Sequence, residues 1–168
     1  MKRKKSLEFI LRPAREGDVN AILEITLRAW KGFTVWERYE ERYGKICNIT
    51  WEEKKKNEIM QMCKNLDNVI VAESAGKVIG YASFYDVAFK TGEIGSNAVD
   101  PEFQGMGVGT ALIERMIEIF KEKGLYLVRV STLEDDIPAR RVYEKNGFEK
   151  IVKSVHYAQV LSGFKRSV

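Results

Sequence analysis

The chain has 168 residues, 45% apolar, 31% charged and 11% aromatic, with three prolines and thirteen glycines. That suits one globular domain with a real core and excludes a collagen-like, low-complexity or fully disordered chain. The formal net charge is +4, but Lys2, Arg3, Lys4 and Lys5 take four of the 28 basic residues and the remaining 24 balance 24 acids, so the neutral body offers no basic stripe for nucleic-acid phosphates and nucleic acid is not expected as a partner.

Leu7, Phe9 and Leu11 alternate with Glu8, Ile10 and Arg12, which predicts a first strand that Pro13 ends. After Asp18, the positions Val19, Ile22, Leu23, Thr26, Ala29 and Trp30 recur at helical spacing, with Gly32 as a stop. Phe33, Trp36, Tyr39 and Tyr43 predict a second, aromatic-rich helix. Thr50 and Glu53 have capping-box spacing and open a third, through about Leu66, that buries Trp51, Ile59, Met62, Cys63 and Leu66. Residues 69–74 and 77–85 read as a hairpin around Ala75 and Gly76, and residues 93–99 as a further strand. Glycines 105, 107 and 109 then lead into a helix with the stripe Leu112, Ile113, Met116, Ile117 and Phe120, ending near Gly124. The near-continuous apolar run LYLVRVST suits a strand in the middle of a sheet covered on both faces. Pro138 opens a last helix through about Lys145, and FEKIVKSV with HYAQVL reads as a closing hairpin. The expected fold is α/β, a mixed, mostly antiparallel sheet of about seven strands flanked by about four to five helices. One domain is expected over 1–168, with residues 1–5 a basic, flexible arm.

Cys47 and Cys63 form no CxxC pair and are expected as small buried hydrophobes, not as a disulfide or a nucleophile, which makes a reducing compartment the simplest home. The single His156 cannot build a multi-histidine site, and no carboxylates have calcium-loop spacing, so no metal is expected. The short apolar stretch after MKRKK is interrupted by Glu8, unlike a signal peptide, and no run approaches the roughly 20 apolar residues of a membrane span. These features predict a cytoplasmic protein with no membrane partner.

The segment VDPEFQGMGVGTALI carries the strongest chemical signal. Closely spaced glycines let main chain approach a ligand, and a helix N-terminus leaves N–H groups unpaired. Together they make a seat for an anion such as a pyrophosphate, with neither metal nor basic cluster. A P-loop fails because its Lys is absent at the required place. A dinucleotide-binding turn fails because Gly105 and Gly107 are followed by Thr110, and the next strand ends in Val130 and Ser131 instead of an acid. A glycine turn that merely joins strand to helix is the plain alternative.

Gln104, Gly107 and Gly109 after Val99, Asp100 and Pro101, followed by ARRVYEKNGF from Ala139 to Phe148, resemble the two motifs of the GNAT superfamily of acetyl-CoA-dependent N-acetyltransferases. The resemblance spans most of the chain. It implies a V-shaped split between two central parallel strands, residues 93–99 and 125–132, with acetyl-CoA as the acetyl donor and no metal. It places the pantetheine arm against the main chain at Ala98 and Val99. The pyrophosphate then rests on Gln104, Gly105, Met106, Gly107, Val108, Gly109 and Thr110. It implies Tyr143 as the residue that protonates or positions the leaving thiolate, Glu93 as the general base, directly or through a water, and the Val99 N–H as oxyanion donor.

Plainer roles stand beside these: Glu93 as a solvated carboxylate at a strand end, Tyr143 as a packed helix tyrosine, and Ser96 and Asn97 as polar positions on a sheet face. Asp136 stands where many relatives carry Asn, three residues before Ala139, and there it suits a helix cap. Trp30, Phe33, Trp36, Tyr39 and Tyr43 either wall an acceptor site or pack against the body. The implied activity moves an acetyl group from acetyl-CoA to a primary amine of a small molecule or peptide by direct attack in a ternary complex. The small molecule is preferred, because HYAQVL does not resemble the tyrosine-rich ending of protein N-terminal acetyltransferases. The alternative is a non-catalytic acyl-CoA-binding or sensing module. Acyl-chain length and oligomeric state, a homodimer included, stay open.

Overall fold

The structure is a computed structural model that describes residues 7–161, and the basic arm expected at residues 1–5 lies outside them. Strands β1 (Ile10–Pro13), β2 (Val69–Ser74), β3 (Lys77–Val87), β4 (Thr91–Val99) and β5 (Leu127–Arg129) lie side by side in chain order. The first four are antiparallel neighbours, and β5 runs parallel to β4. The helices are α1 (Val19–Ala29), α2 (Val35–Tyr43), α3 (Trp51–Met62), α4 (Val108–Glu122) and α5 (Ile137–Lys145).

Local chemistry accounts for these elements. Ala75 and Gly76 both take positive φ, 48° and 78°, the geometry of a two-residue turn whose twist suits the β2–β3 hairpin. Thr50 and Glu53 cap each other reciprocally at the start of α3. Strand alternation then sorts side chains between two cores. Val69 and Val71 of β2 pack with Ile22, Ile25 and Ile59 from α1 and α3. Ile70 and Ala72 face the other way, onto Leu112, Met116 and Phe120 of α4 and Tyr143 of α5. Among the described residues no helix is long and apolar enough to cross a membrane.

The described sheet has five strands, not about seven. LYLVRVST contributes only Leu127–Arg129, at an outer edge with Tyr126 90% exposed, in place of a covered central strand. Residues 149–161 join no strand, so the closing hairpin does not form. The physical reason lies in the tethers: Lys150 and Lys153 pair with Glu134, and the Ala158 carbonyl accepts from the Tyr43 hydroxyl at 3.0 Å, which leads the segment across α2 and away from the β5 edge. Of the two cysteines expected to be buried, only Cys63 packs against the core. Cys47 is exposed in the turn between α2 and α3, and Cys63 is half-buried at the end of α3, where burial pushes its thiol pKa up.

Gly92 of β4 is a position where only hydrogen fits. A Cβ there would stand 2.5 Å from the buried Phe120 ring. Gly92→Ala is expected to lower stability by about 1–3 kcal/mol, the range for overpacking a core. A lower urea midpoint would show it, and an unchanged midpoint would mean that the ring moves aside freely.

Candidate functional site

A register shift interrupts the β3–β4 ladder between Ala82 and Phe84, and the Ser83 hydroxyl bridges it by donating to the Ser96 carbonyl at 3.0 Å. Such a bulge bends the strand that carries it. On the other side of β4, pairing with β5 covers Thr91–Leu127, Gly92–Val128 and Glu93–Arg129 and then stops. From Ile94 to Val99, β4 therefore has no strand beside it on that side.

Successive residues of a strand turn their main-chain groups to alternate edges. The Asp100 N–H donates to Ile79 at 2.9 Å and the Ser96 carbonyl accepts from Ser83, so the even-numbered residues face β3. Asn97 and Val99 face the gap, where their carbonyls accept from the Trp30 indole at 3.1 Å and the Gln104 side chain at 3.2 Å. The Val99 N–H points the same way. Ala98 turns its main chain to Tyr81 and packs its methyl in the α1-side core.

Beyond Val99 the chain turns on Asp100. Its wholly buried carboxylate accepts from the Glu102 N–H at 3.2 Å and meets Arg28 at 2.8 Å and Lys77 at 3.5 Å. Burial alone would raise its pKa, but the Glu102 amide, Arg28 and Lys77 outweigh burial and hold the carboxyl below the usual aspartate value. Gly105 and Gly107 follow at φ 73° and 91°, where a side chain would be strained, and a Cβ on either would meet nothing within 4 Å. Gly107 is the N-cap of α4, and no side chain caps that turn. The first N–H groups of the helix thus lie at its positive end without a side-chain cap. Gln104, Gly105, Met106 and Gly107 are exposed, while Val108 is buried and Gly109 lies against Val99 and Val142.

Tyr143 reaches the same gap from α5. Its hydroxyl stands 3.2 Å from Asn97 Oδ1 and 3.1 Å from Asn97 Nδ2. Burial raises its pKa to about 12, with the Asn97 bond opposing and the Asp136 charge adding to the rise, so the phenol is protonated at neutral pH. Asp136 caps α5 by accepting from the Ala139 N–H at 3.1 Å, and it also accepts from the Thr132 hydroxyl at 2.8 Å. Glu93 sits where the β4–β5 ladder ends, and its Oε2 accepts two bonds from Arg129, at 2.8 and 2.5 Å. The structure thus gives Tyr143 to Asn97 and Glu93 to Arg129.

Next to α2, the turn at 133–135 and residues 156–158 bound a cleft of about 850 Å³ whose lining includes Arg38, Tyr39, Arg42, Tyr43, Glu134, Asp135, His156 and Tyr157. Arg38 pairs with Asp135 at 2.6 Å, and Lys153 and Lys150 hold the Glu134 carboxyl below its usual range. Of the expected aromatic wall, Tyr39 and Tyr43 line this cleft. Trp36 turns to α3, donating to Glu58 at 3.0 Å with the Lys54 ammonium 3.2 Å from the ring centroid, and Trp30 holds Asn97. Arg38 and Arg42 went unmarked in the sequence. The available signal was their spacing of four residues, which puts them on one helix face beside Tyr39 and Tyr43.

In comparisons with known proteins, the model of the Acetyltransferase (GNAT) family matches residues 21–148. An uncharacterized N-acetyltransferase of Methanocaldococcus jannaschii is 26% identical over 167 residues, 95% of this chain. The chain spans 66% of that relative, less than two thirds of its length. A Pyrococcus horikoshii structure superposes with TM-score 0.68 at 22% identity, over 88% of this chain and 93% of that one. A Mycobacterium tuberculosis structure in complex with CoA and NLQ superposes with TM-score 0.61 at 25% identity, over 89% and 76%.

Asp100→Asn keeps the shape and removes the charge, with an expected loss of about 1–3 kcal/mol at neutral pH. Because the folded carboxyl has a lowered pKa, its contribution is present above the ordinary value of 3.8 and is lost as pH falls below it. The stability gap between the variant and the parent should therefore narrow from about pH 6 to about pH 3 in urea titrations. An equal gap at both would remove the charge from the account.

Proposed function

The chain belongs to the acetyltransferase (GNAT) family, and from that premise we propose that it moves an acetyl group from acetyl-CoA to the primary amine of a small molecule or peptide by direct attack in a ternary complex. The observation that carries this reading is the meeting of two features at one gap: the uncapped start of α4 behind Gly105 and Gly107, and the protonated Tyr143 phenol on Asn97.

The donor's pyrophosphate is received by main-chain N–H groups from Gln104 to Thr110, where open space above two glycines and the empty cap fit an anion. Main-chain groups of Asn97 and Val99 offer an edge to the extended arm. When bound, acetyl-CoA supplies the activated acyl group as a thioester. The CoA in the Mycobacterium tuberculosis structural relative supports this donor. Tyr143 holds a proton at Oη, the state needed to protonate a departing thiolate. The Val99 N–H, aimed into the gap, stabilises negative charge on the thioester oxygen. Glu93 takes the amine proton through a water, using Oε1, since both Arg129 bonds fall on Oε2. The acceptor is received by the cleft of Tyr39, Tyr43 and Arg42 beside α2.

CoA release followed across a panel of amines and peptides tests the proposal. Tyr143→Phe is expected to lower kcat by about 100-fold with little change in acetyl-CoA affinity, the range for a general acid. Unchanged turnover would remove the acid role. No turnover on any amine or peptide, with acetyl-CoA binding confirmed, would instead favour a non-catalytic acyl-CoA-binding module. Because the Tyr143 pKa is raised to about 12, the rate should not fall with a midpoint below about pH 10. Such a fall would assign the acid elsewhere.

A further inference from the structure

The cleft beside α2 carries two carboxylates, and each already has a cation. Glu134 pairs with Lys150 at 3.4 Å and with Lys153, and Asp135 pairs with Arg38 at 2.6 Å. Arg42 differs. It lines the same cleft one turn further along α2, its guanidinium lies 5.8 Å from the centroid of the Tyr43 ring, and it meets no carboxylate among the described residues. Positive charge therefore exceeds negative at this cleft. The hydrogen-bonding groups lean the same way: the Tyr43 hydroxyl gives its proton to the Ala158 carbonyl at 3.0 Å, whereas the Arg42 guanidinium has five N–H donors and no acceptor. Its planar fork matches a carboxylate or a phosphate with two parallel bonds.

The cleft also adjoins the proposed chemistry. Its turn at 133–135 runs into Asp136, whose charge reaches the Tyr143 phenol. Both carboxylates that line the cleft are paired, so neither is left to hold an incoming amine as its ammonium ion, and attack on a thioester needs the neutral amine. On the reading that this cleft takes the acceptor, we propose that the acceptor is an amine carrying an oxyanion, a carboxylate or a phosphate, and that Arg42 receives that group. Tyr39 and Tyr43, which line the same cleft, offer ring surface to the body of such a molecule. The surplus of positive charge that attracts the oxyanion repels a polyamine.

Calorimetric titration of the full chain tests this, with CoA at saturation so that the proposed anion seat at α4 is already filled. Glucosamine 6-phosphate is compared with glucosamine, and phenylalanine with phenethylamine, each pair differing in one anionic group. The anionic member of at least one pair is expected to bind about tenfold more tightly than its partner, and the pair that shows it separates phosphate from carboxylate. Arg42→Gln is expected to bring that ratio close to one, and Arg42→Lys to restore part of it as a point charge without the fork. Arg42 is exposed on α2 and both replacements are good helix formers, so the far-ultraviolet circular dichroism should not change. Three results would overturn the proposal: equal or undetectable binding within both pairs, spermidine binding more tightly than either anionic amine, or a preference that persists in Arg42→Gln. Binding is read without turnover, so acetyl transfer is judged apart from it, by CoA release from acetyl-CoA with the preferred amine. A preference that depends on Arg42 without CoA release would support the ligand class and count against the transferase.

Discussion

Where the Glu93–Arg129 pair ends the β4–β5 ladder, the main-chain groups of Asn97 and Val99 lose a strand partner, and main-chain polar groups shielded from water have to find one. Two of them have: the Trp30 indole and the Gln104 amide take the two carbonyls. Two local features place the parting there. The bulge at Ser83 bends β4 along its β3 side, and the absent side chain of Gly92 lets Phe120 press against the sheet at the last paired positions. The gap is a property of the backbone, with Glu93 where the ladder ends and Tyr143 on Asn97.

The proposed anion seat at its far end is built with little free charge. Arg28 and Lys77, the cations near the turn after β4, are engaged by the buried Asp100, so they hold the loop instead of facing a ligand. What remains for an anion is the set of N–H groups at the start of a helix of 15 residues, whose aligned dipoles make that end positive. Val108 fixes the helix start in the core, and Gly109 rests on Val99 and Val142. The glycines between are exposed but anchored on both sides. A body of balanced charge is consistent with an anion site of this type.

Local pattern made much of the fold readable. The β2–β3 hairpin, the Thr50–Glu53 box and the stripe of α4 are short-range features, and each stands within a few residues of its expected place. Tyr143 and residues 104–110 are candidates through motif spacing, which is also local. The rest depends on pairs far apart in the chain. Asn97 meets Tyr143 across 46 positions, Glu93 meets Arg129 across 36, and Arg38 bonds Asp135 across 97. No periodicity reports such partners. The run LYLVRVST and residues 149–161 show the same limit from another side: alternation says that side chains favour burial, not which surface covers them.

Tyr143 joins stability to proton chemistry through a departure from the family motif. Its ring packs in the α4-side core, edge-on to Phe148 at 6.1 Å, so the burial that stabilises the fold also penalises the phenolate. Asp136 strengthens that penalty. Standing where many relatives carry an amide, it is positioned as a cap by the Ala139 N–H and the Thr132 hydroxyl, and its charge near the phenol further opposes loss of the proton. An amide could accept the same capping bond but would bring no charge. The carboxylate therefore starts α5 and helps keep the hydroxyl protonated, so the position that departs from the motif still serves the site it borders.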